Sequence, residues 1–271
     1  MQHFMLDGFG GIRSRFDDMR LVYELLEELP ARLGLQPVMP PLLLPYYNGV
    51  EPDDCGISGF AFLAGGHITV HTFSFRECYF VDLATPQRFD AGQARDLIRM
   101  SLPAGVVDMQ IAARGAVPPD PDVHPDKDFG PHLLLDLRGY SGPRDLDGLF
   151  SLFDELPERI DMTPIMRPYA MRSKLPSGGT VSSVMTMIAE SHIALHVEEA
   201  TNRAWFDIFS CKFFDTDVVL PAIRAALPGE IVDEQLIARG HRYSERRTVR
   251  DTELDRGRAW LSARPGPAHD A

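Results

Sequence analysis

The chain of 271 residues contains little lysine, and this shortage bears on cofactor chemistry. Enzymes that use pyridoxal phosphate hold the cofactor as a Schiff base on a lysine side chain. The lysines of this sequence are Lys127, Lys174 and Lys212. The sequence therefore offers few positions that could hold that cofactor.

Cysteine and long apolar runs are also scarce. Cys55, Cys78 and Cys211 are odd in number and widely spaced, which predicts free thiols rather than a disulfide framework or a zinc motif. No apolar run approaches the roughly 18 residues of a membrane-spanning helix. Residues 1–4 lack the basic flank and apolar stretch of a signal peptide. We expect a soluble, cytoplasmic protein.

Positive charge is in short supply relative to negative charge. The sequence has 27 lysines and arginines against 39 aspartates and glutamates, a net charge of −12. Binding to nucleic acids or to anionic membranes depends on clustered positive charge, so the balance disfavours both kinds of partner. We expect the partner to be a small molecule.

The sequence does contain a copy of itself. Residues 65–90 and 190–215 align without a gap, which sets an offset of 125 residues between the two copies. The same offset relates Ser58 to Ser183, and farther upstream residues 25–39 resemble residues 152–166. Matching order over nearly the whole of each half indicates a tandem duplication.

The two halves predict the same succession of elements. Amphipathic patterns predict helices over 17–33 and 91–102 in the first half and over 145–160 and 216–227 in the second. Strands rich in Val, Ile, Phe and Thr lie between these helices. We expect an α+β fold in which each half is a mainly antiparallel sheet with helices on one face, and the halves stack as a four-layer α/β/β/α sandwich.

Composition suggests where the halves meet. The predicted domains are a first half over 1–115 and a second half over 132–240. Between them lies a linker over 116–131 that is rich in proline and aspartate. A charged tail follows over 241–271.

Each half carries two histidines four residues apart, His67 with His71 and His192 with His196. On a helix this spacing is typical of zinc ligands. Here the intervening residues alternate as in a strand, and a strand separates such histidines by roughly 13 Å. Because zinc–nitrogen bonds are about 2 Å long, two histidines of one strand cannot share an ion, and we expect no metal site.

The halves differ at two chemically active positions. Ser191 aligns with Gly66, and Cys211 aligns with Pro86. A serine hydroxyl becomes a nucleophile only beside a base, and a cysteine can donate a proton. Taken alone, these residues are more simply interpreted as a surface serine and a small buried thiol. The residues therefore leave a duplicated enzyme and a binding module both open.

The combined pattern resembles the S-adenosylmethionine decarboxylase family, the pyruvoyl-dependent enzymes of polyamine synthesis. The segments that carry the resemblance are ESHIALH at 190–196 and FDIFSC at 206–211. An opening His-x-x-x-Asp strand and a terminal Arg-Gly match as well, so the resemblance covers both halves.

The resemblance implies a proenzyme that cleaves itself between Glu190 and Ser191. Ser191 would be converted to a pyruvoyl group, the covalent cofactor, whose carbonyl accepts the amine of the substrate and so replaces pyridoxal phosphate. Cys211 matches the catalytic thiol that returns a proton to the product carbon. Decarboxylation of S-adenosylmethionine is the activity implied.

The resemblance also implies a division of labour between the halves, because family members with single-length chains build their sites across a dimer interface. Ser58 and His71 match the assisting serine and histidine for the site that holds Ser191. Ser183 and His196 would face a degenerate second site at Gly66. We expect one active site per chain, in a monomer that is an internal pseudo-dimer or in a homodimer.

One position departs from the family. The glutamate that binds the substrate ribose is replaced by Phe75 in the first half and by Ala200 in the second. Phe75 is a candidate for stacking on adenine, and Glu77 is the nearby carboxylate; two further stacking candidates are Tyr46 and Tyr47. The departure leaves open the same chemistry on ornithine or arginine. The duplication leaves open a non-catalytic regulatory paralogue, since duplicated enzymes can keep a fold and lose activity.

Overall fold

A computed structural model describes residues 1–46, 55–114, 130–189, 191–210 and 213–243. Among the residues singled out by the sequence, Tyr47, Glu190 and Cys211 lie outside these ranges. The predicted tail is described only as far as residue 243, and the predicted linker only from residue 130.

The described residues form two six-stranded antiparallel sheets, one from each half, in the strand orders β2-β3-β4-β5-β1-β6 and β12-β7-β11-β10-β9-β8. The first sheet contains β1 (Gln2–Phe9), β2 (Leu42–Tyr46), β3 (Gly56–Leu63), β4 (Gly66–Phe73), β5 (Cys78–Thr85) and β6 (Val106–Ala113). The second contains β7 (Gly130–Arg138), β8 (Tyr169–Lys174), β9 (Thr180–Ile188), β10 (Ser191–Glu198), β11 (Arg203–Ser210) and β12 (Glu230–Arg239).

The helices begin where the sequence predicts them because an aspartate caps each predicted start. The side chains of Asp18, Asp90, Asp145 and Asp215 accept hydrogen bonds from backbone N–H groups of the first turn. The helices are α1 (Arg13–Phe16), α2 (Met19–Arg32), α3 (Ala91–Ser101), α4 (Leu146–Arg159) and α5 (Thr216–Ala226). Among the α-helices of the described ranges, the single turn α1 was not predicted.

The two sheets stack between two helical layers, which confirms the predicted α+β sandwich of duplicated halves. One apolar core lies between the first sheet and helices α2 and α3, and a second lies between the other sheet and helices α4 and α5. Between the sheets, Phe60 and Phe62 of β3 pack against Met185, Met187 and Ala194 of β9 and β10. Every residue of β4 and β5 is buried, because both faces of these central strands are covered.

The first strand of the second half starts at Gly130. Gly130 and Pro131 already belong to β7, where they pair with Arg239 and Ala238 of β12. The proline is tolerated because the other neighbour, β11, pairs with β7 only from His132 onward. Within the described residues, no helix is long and apolar enough to cross a membrane.

Buried ion pairs join the two halves. The guanidinium of Arg239, at the end of β12, donates to Asp7 of β1, with its Nε 3.0 Å from Oδ1, and also to Asp82 of β5. In the reciprocal position, the Nε of Arg114 lies 2.6 Å from Oδ1 of Asp136. These side chains are almost wholly buried, and each finds its opposite charge on the other half.

Arg239→Met is expected to lower the free energy of unfolding by about 3–5 kcal/mol, because it leaves buried carboxylates without their cation. Urea unfolding followed by circular dichroism measures the change. Arg20→Met, which removes an exposed partner of Glu24, serves as the control and should leave the unfolding midpoint unchanged. Equal shifts in the two variants would contradict the assigned importance of Arg239.

Candidate active site

Two serine–histidine pairs face the space between the sheets. Ser58 and His71 lie opposite each other on β3 and β4, and the Ser58 Oγ is 2.9 Å from the His71 Nδ1. Ser183 and His196 repeat this arrangement on β9 and β10, with Oγ and Nδ1 2.7 Å apart. The structure thus brings together each serine and histidine that the sequence paired.

Each of these histidines continues across the sheets to a histidine of the other half. The Nε2 of His71 lies 2.9 Å from the Nδ1 of His192, and the Nε2 of His196 lies 2.8 Å from the Nδ1 of His67. The planes of the His71 and His192 rings differ by 8° with centroids 5.1 Å apart, which is the geometry of an in-plane N–H···N hydrogen bond. The pair from the first half therefore reaches the residue after Ser191, and the pair from the second half reaches the residue after Gly66.

Ser191 is the first residue of β10, opposite Ser210 at the end of β11. It is buried, and its hydroxyl has no hydrogen-bond partner among the described residues. Its backbone φ is +149°, a value that glycine adopts readily and other residues adopt at a cost of about 1–3 kcal/mol. Glu190 on one side of it in sequence and Cys211 after Ser210 lie outside the described residues.

Gly66 occupies the equivalent place at the start of β4. A Cβ atom added at Gly66 would lie 1.9 Å from the carbonyl oxygen of Ala84, which is far inside van der Waals contact. The backbone of β5 thus excludes any side chain here, so this end of the interface has no hydroxyl equivalent to that of Ser191.

A layer of buried histidines fills the space between the sheets: His3, His67, His71, His132, His192 and His196. Burial lowers the pKa of His71 and of His67 well below the ordinary value of 6.5. It lowers the pKa of His132 to about 3 and that of His196 to about 4. The imidazoles of His67, His71, His132 and His196 are therefore neutral at neutral pH.

Two carboxylates share the layer. Burial alone would raise the pKa of Asp82, but the Arg239 guanidinium and the nearby imidazoles lower it well below its ordinary value. Burial alone would also raise the pKa of Asp207, but the nearby imidazoles, that of His67 first, lower it well below its ordinary value. Both groups are carboxylates in the folded protein.

The histidines and aspartates also form two groups with metal-type donor atoms within 4.8 Å of one another: His3 with Asp82 and His132, and His67 with His192 and Asp207. Two histidines of one strand lie too far apart to share an ion. Stacking of the sheets nevertheless brings together donors of different strands. Asp82 and Asp207 occupy equivalent positions in the two copies of the repeat. This equivalence is the feature of the sequence that could have indicated these two groups.

The predicted substrate-binding residues lie at the end of the first sheet where β4 finishes. Phe75 and Glu77 are in the turn that follows β4, and the guanidinium carbon of Arg13 lies 3.9 Å from the centre of the Phe75 ring. Glu77 adopts a φ of +52°, and its carbonyl accepts a hydrogen bond from the Gly11 N–H. Tyr46 ends β2 at the same end of the sheet, partly buried, and Tyr47 lies outside the described residues.

Sequence reasoning missed an aromatic cluster and a buried arginine at this end of the interface. Phe73 and Phe80 of the first half pack with Phe209 of the second half and with Tyr243 of the tail. The Arg76 side chain is buried, with its guanidinium carbon 4.5 Å from the centre of the Tyr243 ring. These residues line the wall beside the His71–His192 pair, because Phe80 lies opposite His71 and Phe209 opposite His192.

A family model for S-adenosylmethionine decarboxylase matches residues 2–115 and 131–240. The chain belongs to the S-adenosylmethionine decarboxylase family. The matched ranges follow the two halves, so the chain carries two copies of the decarboxylase family sequence. The comparison with curated proteins gives no significant match.

Two solved structures are similar to this member of the decarboxylase family. The adenosylmethionine decarboxylase from Aquifex aeolicus is 24% identical, with a TM-score of 0.37, over 45% of this chain and 95% of that chain. An unknown protein from Galdieria sulphuraria is 10% identical, with a TM-score of 0.22, over 88% of this chain and 98% of that chain.

The buried histidines predict that acid destabilises the protein. Their folded-state pKa values lie below the unfolded value of 6.5, so the unfolded chain binds more protons as the pH falls through that value. We expect unfolding free energy to fall below about pH 6.5, by about 1.4 kcal/mol per pH unit for each histidine kept neutral. Urea unfolding between pH 8 and pH 5 measures the slope; a stability independent of pH over this range would contradict neutral burial.

Proposed function

We propose that the chain is the proenzyme of a pyruvoyl-dependent decarboxylase, which cleaves itself between Glu190 and Ser191 and then decarboxylates S-adenosylmethionine. The observation that carries the proposal is the unequal environment of the two serine–histidine pairs. Ser58 and His71 reach His192, the neighbour of a buried serine, whereas Ser183 and His196 reach His67, the neighbour of a glycine.

The environment of Ser191 fits a residue that becomes a pyruvoyl group. Its hydroxyl is buried with no hydrogen-bond partner among the described residues, so no contact there holds it away from the adjacent carbonyl. Its positive φ strains the backbone at the bond to be cut, and cleavage relieves that strain. Such strain raises the energy of the intact chain relative to the product.

The self-processing steps use atoms of the chain and one water. The Ser191 hydroxyl oxygen attacks the Glu190 carbonyl carbon, the peptide C–N bond breaks, and the hydroxyl proton passes to the Ser191 nitrogen. A base then removes the Cα proton of Ser191, the Cβ–Oγ bond breaks, and residues 1–190 leave with a free carboxylate. The remaining enamine takes up water and releases ammonia, which leaves a pyruvoyl group at position 191.

The assisting residues have distinct tasks in this scheme. His71 acts as the base for the elimination, and the Ser58 hydroxyl, 2.9 Å from its Nδ1, holds the ester intermediate in place. The pyruvoyl group supplies a carbonyl that withdraws electrons from the substrate carbon as carbon dioxide leaves. Cys211 returns a proton to that carbon. One site of this kind forms in each chain.

A second substrate class is favoured by one specific contact. Phe75 replaces the carboxylate expected for a ribose, and Arg13 covers one face of its ring. A site without that carboxylate loses hydrogen bonds to an adenosyl substrate, which costs about 1–3 kcal/mol per unpaired buried group. The same pyruvoyl chemistry on ornithine or arginine is therefore the alternative.

Intact-mass spectrometry of the purified chain is expected to give two fragments, residues 1–190 and residues 191–271. The second should be lighter, by one ammonia, than a fragment that begins with serine. Ser191→Ala should abolish cleavage, because it removes the attacking oxygen. A chain that stays full length would contradict the proposal and favour the regulatory paralogue.

His71→Ala is expected to slow cleavage by about 100-fold or more, the usual contribution of a general base. His196→Ala is the matched control, since it removes an equally buried histidine with the same serine contact in the other half. It should leave the cleavage rate within a few-fold of the parent. The reverse order of effects would contradict the assignment of halves.

Release of carbon dioxide from S-adenosylmethionine, ornithine and arginine, measured in parallel on the cleaved protein, identifies the substrate. We expect S-adenosylmethionine to react fastest. A cleaved protein that is inactive on it and active on either amino acid would replace the proposed substrate while leaving the self-processing chemistry intact.

A further inference from the structure

The two hydrogen-bonded series of serine, histidine and histidine both lead to one carboxylate, that of Asp207 on β11. Its Oδ2 lies 3.4 Å from the Nε2 of His192 and 3.8 Å from the Nε2 of His67. The Nε2 of His132 on β7 lies 3.8 Å away as well. Within the part of the chain that the structure describes, neither oxygen of Asp207 has a partner with good hydrogen-bond geometry, and all four side chains are fully buried.

The guanidinium of Arg239 determines which nitrogen of His132 carries the proton. The Nη1 of Arg239 lies 3.2 Å from the Nδ1 of His132, and a guanidinium can only donate. The Nδ1 of neutral His132 therefore carries the lone pair, and its Nε2 carries the proton, directed at Asp207. The carboxylate of Asp207 is thus an acceptor for imidazole N–H groups.

The same reasoning, applied to His192, assigns the proton positions from Asp207 to Ser58. When the Nε2–H of His192 donates to Asp207, its Nδ1 holds a lone pair. That nitrogen lies 2.9 Å from the Nε2 of His71, so His71 must carry its proton on Nε2. The lone pair of His71 is then on Nδ1, 2.9 Å from the Ser58 hydroxyl.

We infer that Asp207 and His192 are positioning residues for His71: they hold its proton on Nε2 and so present its basic Nδ1 to the site at Ser58. A proton taken up at Nδ1 gives the His71 ring a positive charge, which the carboxylate of Asp207 stabilises through the hydrogen bonds of His192. Catalytic contacts that are long before reaction commonly tighten when charge develops, which suits distances of 3.4 to 3.8 Å. This inference rests on the proposed role of His71 as the base in self-processing.

The same donor atoms would suit a divalent cation on His67, His192 and Asp207, but the surroundings favour hydrogen bonds. The neighbouring His132 presents an N–H to Asp207 because Arg239 occupies its other nitrogen. A metal ion would also add charge beside the buried guanidinium of Arg239. A bound metal is therefore an outcome of the test that would overturn the inference.

The proton positions can be read in the uncleaved chain. In the Ser191→Ala precursor labelled with ¹⁵N on histidine, two-bond ¹H–¹⁵N correlation spectra should show His71 protonated on Nε2 and bare on Nδ1. Adding Asp207→Asn should abolish this single form, because an amide can donate to His192 as well as accept. The inference would be overturned if His71 carried no proton on Nε2 in the precursor. It would also be overturned if Asp207→Asn left the protonation of His71 unchanged. Because the precursor does not cleave, this result is independent of the proposed function.

The rate of self-cleavage provides the second readout, in variants of His192 and of its counterpart His67. His192→Phe should slow cleavage by about 100-fold, because it offers no acceptor to His71. His192→Asn, whose amide can accept near the position of Nδ1, should recover at least tenfold of that loss. His67→Phe, at the equally buried counterpart, should slow cleavage less than His192→Phe does, since it removes one neighbour of Asp207 but leaves the contact between His71 and His192 intact.

Three outcomes would overturn the inference. Equal rates for His192→Phe and His192→Asn would mean that the side chain at 192 acts only by filling space. Equal losses of cleavage rate in His192→Phe and His67→Phe would mean that the two hydrogen-bonded series are not functionally distinct. One equivalent of metal per chain by elemental analysis, lost in His67→Phe, would assign Asp207 and the histidines to a metal site.

Discussion

The guanidinium of Arg239 is buried between the two sheets, and its charge determines what the rest of that layer can contain. An arginine does not lose its proton, so a site without water must supply carboxylates at fixed positions. Those carboxylates are Asp7 and Asp82, from two neighbouring strands of the opposite half. Their pairing with Arg239 fixes the offset between the sheets. That offset places the histidines of β4 opposite those of β10.

The result is a protein with two kinds of interior. Between sheet and helices the cores are apolar and close-packed, as in any α+β layer. Between the sheets lies a polar layer of imidazoles, carboxylates and guanidinium groups with an apolar patch on one side. Buried polar groups of this kind add little stability, but they allow few alternative arrangements, because each unpaired group is costly. A self-processing site needs that fixed geometry more than it needs extra stability.

Much of the fold could be predicted because its signals are local. Helix periodicity and the four capping aspartates set the helices to within two residues at each end, and the gapless repeat predicted two equivalent sheets. The serine–histidine pairs followed from the family resemblance. The roles of His192, Asp207 and Arg239 could not be predicted, because each depends on which strands face each other across the interface. Spacing along one strand carries no information about contacts between sheets that are far apart in sequence.

The contact beneath Gly66 bears on whether the second centre could be restored. A serine introduced at Gly66 would place its Cβ atom 1.9 Å from the carbonyl oxygen of Ala84. The substitution alone would therefore meet a backbone oxygen rather than an empty pocket. A second processing centre would need a different position of β5 as well as a serine.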